Sequence, residues 1–242
     1  MSKMTKDLEI GWFGKLPASG DFVFRRIPRS LLDKLDDWLS RGLAEMQKAL
    51  PTEWRDTFAA APAWYFAIPA CVGGGTTLIG LIVPSHDRVG REFPLCAGIA
   101  LPPEGAAGYL LADAHGWLAN LGAVVVYARD RAVPLEEFDA AIRSIPLPTS
   151  APRTASTAGG DDILDILGLA PLDAPTVPMP LAHAVPWPEL PMIFDVTNPT
   201  SFWWTSSGSG SALRGFTTES SLSPSLLVRL MGPATARPGD GL

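Results

Sequence analysis

Leu78-Ile79-Gly80-Leu81-Ile82-Val83 decides the fold class. The run is apolar at both phases of a two-residue alternation, so a strand here is buried on both faces and needs helices above and below its sheet. Strands are predicted at Trp64 to Ile68, at Thr77 to Val83 and at Phe93 to Leu101, each bounded by Pro or Gly and rich in β-branched or aromatic residues. From Ser30 to Leu50, the residues Leu31, Leu35, Trp38, Leu39, Leu43, Met46 and Leu50 recur at helical spacing. Ser30 with Asp33 resembles a capping pair, and Pro51 stops the helix. A second short helix is expected around Thr52 to Phe58. Helices around Gly105 to Leu121 and Leu135 to Ser144 supply the covering layers, the latter introduced by Pro134 and carrying Phe138 and Ile142 inward. The expected fold is α/β: a three-layer α/β/α sandwich with a mixed central sheet.

Outward from that centre, 242 residues with 47% hydrophobic positions and a net charge of -6 suit one domain over residues 1–242. A short strand is predicted at Ile10 to Phe13, and others at Met192 to Val196, Ser201 to Thr205 and Ala212 to Thr217. Ser223-Pro224 starts a last helix to Met231, and Asp161 to Leu169 reads as a short one. The 24 prolines and 23 glycines raise the share of irregular chain. Residues 146–160 read as a mobile Pro/Ser/Thr-rich loop, 171–191 as a Pro-rich stretch and 232–242 as a frayed tail.

The 19 Lys and Arg are scattered, which argues against nucleic acid as a partner. The longest apolar stretches, Leu78 to Val83 and Ala119 to Ala128, fall short of the ~20 residues a membrane span needs, so no membrane insertion is expected. Met1 to Glu9 has no secretory character, and a cytoplasmic location is expected. Cys71 and Cys96, in apolar strand-like contexts, are then expected as buried free thiols.

The search for chemistry returns little, and neither a catalytic site nor a cofactor is expected. Gly14-Lys15 invites a phosphate-loop reading, but that motif needs a glycine where Glu9 stands and a Ser or Thr where Leu16 stands. His86, His115 and His183 are isolated and the cysteines are far apart, so no metal spacing exists. His115 reads as a partly buried structural histidine. Ser85-His86-Asp87 has the residue types of a hydrolytic triad, yet neighbours in an extended segment project to opposite sides.

Two segments stand out. Pro84-Ser85-His86-Asp87-Arg88-Val89-Gly90-Arg91-Glu92-Phe93-Pro94-Leu95 leaves one buried strand and re-enters another, displaying Arg88 and Arg91 beside Asp87. Two readings stand: an Asp–Arg bridge clamping the turn, with Gly90 at positive φ, or guanidinium forks presented to a partner's carboxylates or phosphates. Gly14-Lys15-Leu16-Pro17-Ala18-Ser19-Gly20-Asp21-Phe22-Val23, a glycine-punctuated loop, poses the same choice. A further candidate surface is any exposed part of the tryptophan set, Trp187 or Trp203 for instance.

These two segments, with Gly11-Trp12-Phe13 before the first, Trp38-Leu39, Trp54, Ala61-Pro62-Ala63-Trp64 and the later Phe202-Trp203-Trp204-Thr205, closely resemble the TagF family of type VI secretion accessory proteins. The resemblance is ordered over roughly residues 10 to 101. It implies a cytoplasmic post-translational repressor of type VI secretion that binds a forkhead-associated scaffold protein, in a pathway with a threonine kinase and a phosphatase. Some members carry a fused phosphatase, a domain not expected within these 242 residues. The family supplies no catalytic residues. Its motif positions, as determinants of fold or interface, are Gly14, Leu16, Pro17, Gly20, Asp21 and Phe22 from the first segment and Ser85, Asp87, Arg88, Gly90 and Arg91 from the second. Thr149, Thr154 and Thr157 would be accessible to a kinase. The competing expectation is an enzyme with a hydrolytic or phosphate-handling site around His86, Asp87, Arg88 and Arg91.

Overall fold

A computed structural model of the chain describes residues 8–102, 107–148, 186–205 and 214–233. Seven strands form one sheet: β1 (Gly11–Gly14), β2 (Val23–Arg25), β3 (Trp64–Ile68), β4 (Thr77–Val83), β5 (Leu95–Leu101), β6 (Ser201–Thr205) and β7 (Gly215–Thr218). Their order is β2-β1-β5-β4-β3-β6-β7, so the quoted apolar run lies at the centre. Among the described residues seven helices accompany them: α1 (Arg29–Ala49), α2 (Trp54–Ala59), α3 (Gly108–Ala112), α4 (Ala114–Arg131), α5 (Leu135–Arg143), α6 (Leu190–Ile193) and α7 (Pro224–Met231).

Alternate residues of the strands enter two separate cores, as the two-residue period of a strand demands. Ile79, Leu81 and Val83 of β4 join Ala97 and Ile99 of β5, Trp117 and Val125 of α4, and Phe138 and Ile142 of α5. Leu78 and Ile82 join Phe66 and Trp203, with Trp38, Leu39 and Met46 of α1 and Leu227 and Leu230 of α7. All seven residues of β4 are buried. Among the described residues every ladder is antiparallel, however, which corrects the expectation of a mixed sheet. Near-continuous apolarity reports cover on both faces, and covered antiparallel strands lose their polar phase just as parallel ones do.

Several local expectations are also corrected. Ser30 does not cap α1; Pro28 stands at its N-terminus with no side-chain cap, and Asp33 pairs with Arg29 instead. The helix expected from Gly105 to Leu121 is broken at Asp113 and continues to Arg131, ending where Ala132 turns left-handed at φ +48°. Met192 to Val196 contains no strand: Met192 and Ile193 close a helical turn on the Glu189 carbonyl. The last helix is as read, with the Ser223 hydroxyl accepting from the Leu226 N–H. Cys96 is buried and its thiol is pushed up by desolvation, whereas Cys71 is exposed in a turn after β3 rather than buried in a strand. The helix expected at Asp161 to Leu169, the 146–160 loop beyond residue 148, the Pro-rich stretch up to residue 185 and the tail beyond residue 233 lie outside the described residues, as do Thr149, Thr154, Thr157, His183 and the His115 side chain.

Candidate functional site

The two segments singled out in the sequence meet at one end of the sheet. β1 and β5 pair so that Gly14 lies opposite Leu95, which brings the loop leaving β1 against the loop between β4 and β5. Gly14 makes this approach possible: its φ is +133°, and a Cβ there would overlap the Pro94 carbonyl.

Asp87 is the centre of the junction. It is fully buried, and its Oδ1 accepts from the backbone N–H groups of Val89 at 3.1 Å and Arg91 at 2.9 Å. Its Oδ2 accepts from Arg91 Nε at 2.6 Å and faces Lys15 Nζ at 3.1 Å. Lys15, itself buried, also donates to the Arg91 carbonyl at 3.2 Å. Desolvation works to raise the Asp87 carboxyl, but bonds from the Arg91 backbone and side chain and from Lys15 overcome it and hold the group well below the usual carboxylate range. Three further bonds stitch the loops: Ser85 Oγ donates to the Lys15 carbonyl at 2.8 Å, Arg88 N–H to the Ser19 carbonyl at 2.8 Å, and Arg91 Nη2 to the Gly20 carbonyl at 2.8 Å. Gly90, at φ +81°, closes the turn.

The Asp–Arg clamp is thus present at Asp87 and Arg91, and it extends to a buried lysine from the other loop. Sequence reading missed that partner, because nothing in local spacing links Lys15 to Asp87. Leu16 is fully buried, Pro17 half-buried, and Gly20, Asp21, Phe22, Arg88 and Arg91 are exposed. The Phe22 ring meets the buried Phe93 edge-on, with centroids 4.6 Å apart, and Lys15 Nζ sits 5.0 Å from the Phe22 centroid. Trp203 is fully buried and Trp187 half-buried, so neither gives an exposed aromatic patch.

A second junction, unsignalled in the sequence, holds the far end of the first loop. Asp139 of α5 accepts from Trp12 Nε1 at 2.7 Å and from both Nη atoms of Arg26, at 3.1 and 2.7 Å. Arg26 adopts φ +56°, and its Nε donates to the Ile10 carbonyl. The Arg26 bond and, against it, desolvation are the main influences on Asp139, and with the Trp12 bond they leave its carboxyl lowered. Residues 14–26 are therefore fastened at both ends by acids from distant segments.

Ser85, His86 and Asp87 form no catalytic relay: the Ser85 hydroxyl is committed to the Lys15 carbonyl, His86 Nδ1 lies 2.9 Å from the Asp87 carbonyl, and the Asp87 carboxylate faces Lys15 and Arg91. Beside them, Pro84, Ser85, His86 and Glu92 line an open depression of about 280 Å³ with Ala59, Arg129 and Asp130. Glu92 is raised by desolvation there, although His86 and Arg55 oppose the shift. Among the described residues, no group of three or more His, Cys, Asp and Glu could hold a metal, and no helix is long and apolar enough to cross a membrane.

The crystal structure of PA0076 from Pseudomonas aeruginosa PAO1 matches with a TM-score of 0.66 at 25% sequence identity, over 95% of this chain and 97% of that one. No curated protein matches. The model of the TagF N-terminal domain, described as type VI secretion system-associated, matches residues 11–145, a span that contains both loops and both acid junctions. More than half of the sequence lies in that match, and the chain belongs to the TagF family of type VI secretion-associated proteins.

Proposed function

We propose that this chain is a cytoplasmic, post-translational repressor of type VI secretion that acts by binding a forkhead-associated scaffold protein of the secretion machine, and that it works by binding rather than by catalysis. One observation carries the reading. The two segments that resemble the family most closely are separated by about seventy residues, yet they are bonded into a single platform whose buried side is fully committed and whose outer side carries exposed Phe22, Arg88, Val89 and Arg91. Fixing side chains before contact lowers the entropy lost on association. In this reading Gly14, Leu16, Pro17, Ser85, Asp87 and Gly90 determine the platform, while Gly20, Asp21, Phe22, Arg88 and Arg91 form its face. The two apolar cores are the two sides of a three-layer α/β/α sandwich that supports it.

Pull-down of the purified cognate scaffold by the purified chain tests the proposal. Retention at tens of micromolar or tighter is expected, with the scaffold phosphorylated or not. Absence of retention in both states, with the chain folded, overturns it.

The polar depression beside His86 favours a second reading, an enzyme with a hydrolytic or phosphate-handling site at the His86–Arg91 loop. Turnover of a phosphate or carboxylic ester panel that is lost in both His86→Ala and Glu92→Gln would establish it. Absence of turnover removes it.

A further inference from the structure

We infer that the tip formed by residues 20–22 and 88–91 reads an acidic, apolar segment of a partner protein, its carboxylates meeting Arg88 and Arg91 and its apolar side chain meeting Phe22 and Val89. This rests on the protein-binding reading above, but not on which protein is bound.

The charges at the tip are unevenly spent. Among the described residues no carboxylate pairs with Arg88, whose backbone is fixed by its bond to Ser19 and whose guanidinium lies against Gly20, with Nη2 3.3 Å from where a Cβ of residue 20 would stand. Arg91 commits Nε to Asp87 and Nη2 to the Gly20 carbonyl, but its side chain is 60% exposed. The Arg91 guanidinium is thereby anchored at Gly20, and the Arg88 guanidinium lies beside the same glycine. The exposed acid there, Asp21, turns one oxygen back onto the Phe22 N–H at 2.7 Å. Within residues 20–22 and 88–91, Arg88 and Arg91 outnumber Asp21, while Lys15 and Asp87 are paired beneath them and the half-buried Glu92 lies beside Arg91, so the outer face alone carries a positive excess on a chain of net charge -6. Planar forks held in this way suit carboxylates.

Apolar surface lies on the same two loops. Phe22 is 46% exposed although its edge is fixed against Phe93, and Val89 is 68% exposed beside Arg88. Arginine next to an anchored aromatic ring is the composition of energetically dominant interface positions. Nucleic acid and anionic membranes fit poorly, because each would need a wide basic face rather than two guanidiniums on an acidic chain. A short protein segment with acids flanking an aliphatic residue matches both halves of the tip.

The test uses the full chain, isotopically labelled for NMR, titrated with the hexapeptide Glu-Glu-Leu-Leu-Glu-Glu and with its Gln-for-Glu and Ser-for-Leu counterparts. Backbone shifts concentrated at residues 19–22 and 88–91 are expected with the first peptide, with affinity at least tenfold weaker for either counterpart. Arg88→Glu and Phe22→Ala should each weaken binding about tenfold or more; Arg88→Glu should leave the melting temperature unchanged, since its side chain is exposed, whereas Phe22→Ala should lower it slightly by losing the edge contact with Phe93 while the chain stays folded. Shifts elsewhere, equal shifts with the Gln peptide, no shifts at all, or undiminished binding by both variants would overturn the inference. Binding of a phosphothreonine peptide in the absence of any glutamate binding would overturn the carboxylate assignment. Peptide binding at the tip without scaffold binding would remove the proposed partner and leave the tip chemistry standing. Scaffold binding indifferent to both variants would do the reverse.

Discussion

Replacing Asp87 with Ala removes the acceptor that joins the two loops. Four bonds are lost at once: two backbone N–H groups, the Arg91 guanidinium and the Lys15 ammonium. The Lys15 ammonium is left covered without its carboxylate, since its side chain is only 8% exposed. Breaking a buried ion pair from one side costs about 3–5 kcal/mol. The cover here is thin, because Arg88, Val89, Gly90 and Arg91 are all exposed, so water and rearrangement relieve part of the loss. The lower end, about 3 kcal/mol, is therefore expected, equivalent to roughly 6–12 °C in Tm for a domain of this size. Urea unfolding followed by tryptophan fluorescence measures it, and Lys15→Met supplies the control. Removing the lysine leaves Asp87 with Arg91 and two N–H groups, so that variant should lose less, and the double variant should lose less than the two singles summed. A loss under about 1 kcal/mol in Asp87→Ala, or strict additivity, would show that the junction is an ordinary surface pair and would refute the reasoning.

Other consequences follow from the same geometry. Gly90→Ala should cost about 1–2 kcal/mol, the strain of a left-handed alanine, because nothing lies within 4 Å of the added Cβ, whereas Gly14→Ala should be far more damaging because of the Pro94 carbonyl; equal melting temperatures for the two would contradict this. Asp87 and Asp139 both hold their carboxyls below the ordinary range, so between the folded and unfolded values the unfolded chain binds more protons. Their contribution is complete above about pH 5 and is lost as pH falls through about 4 and below; an Asp87→Asn variant should show a shallower acid limb in stability against pH, and an unchanged limb would exclude the group. Cys71 should react with a thiol reagent in the native chain and Cys96 only after unfolding, so that simultaneous labelling of both would place Cys96 wrongly.

What the sequence carried, and what it hid, divides along physical lines. Local periodic signals survived: the apolar row of α1, the runs of β3, β4 and β5, and the Ser223-Pro224 start of the last helix all report burial that neighbouring residues share. The sense of the strands did not survive, because both faces of the sheet are covered and the alternation that would have marked an antiparallel sheet is filled in by Leu, Ile and Val. β2 was hidden inside an apparent loop, since three residues between Phe22 and Arg26 give no countable pattern. Met192, Ile193 and Phe194 have strand-like side chains, but the turn they enter is closed by backbone bonds to Glu189 and Leu190. At the site, the two loops were legible as unusual, and Asp87 with Arg91 as a clamp, because those partners are four residues apart. Lys15 with Asp87 and Arg26 with Asp139 were not, since long-range ion pairs leave no local spacing to count.

The central claim is repression after translation through the exposed tip. Its most direct test is in the secreting bacterium, where the chain is overproduced and type VI substrates are measured in the supernatant and in the cells. Secreted substrate should fall while its cellular level stays constant, and Arg88→Glu at equal abundance should restore secretion. Unchanged secretion on overproduction, or a fall in cellular substrate that accounts for the loss outside, would contradict the account.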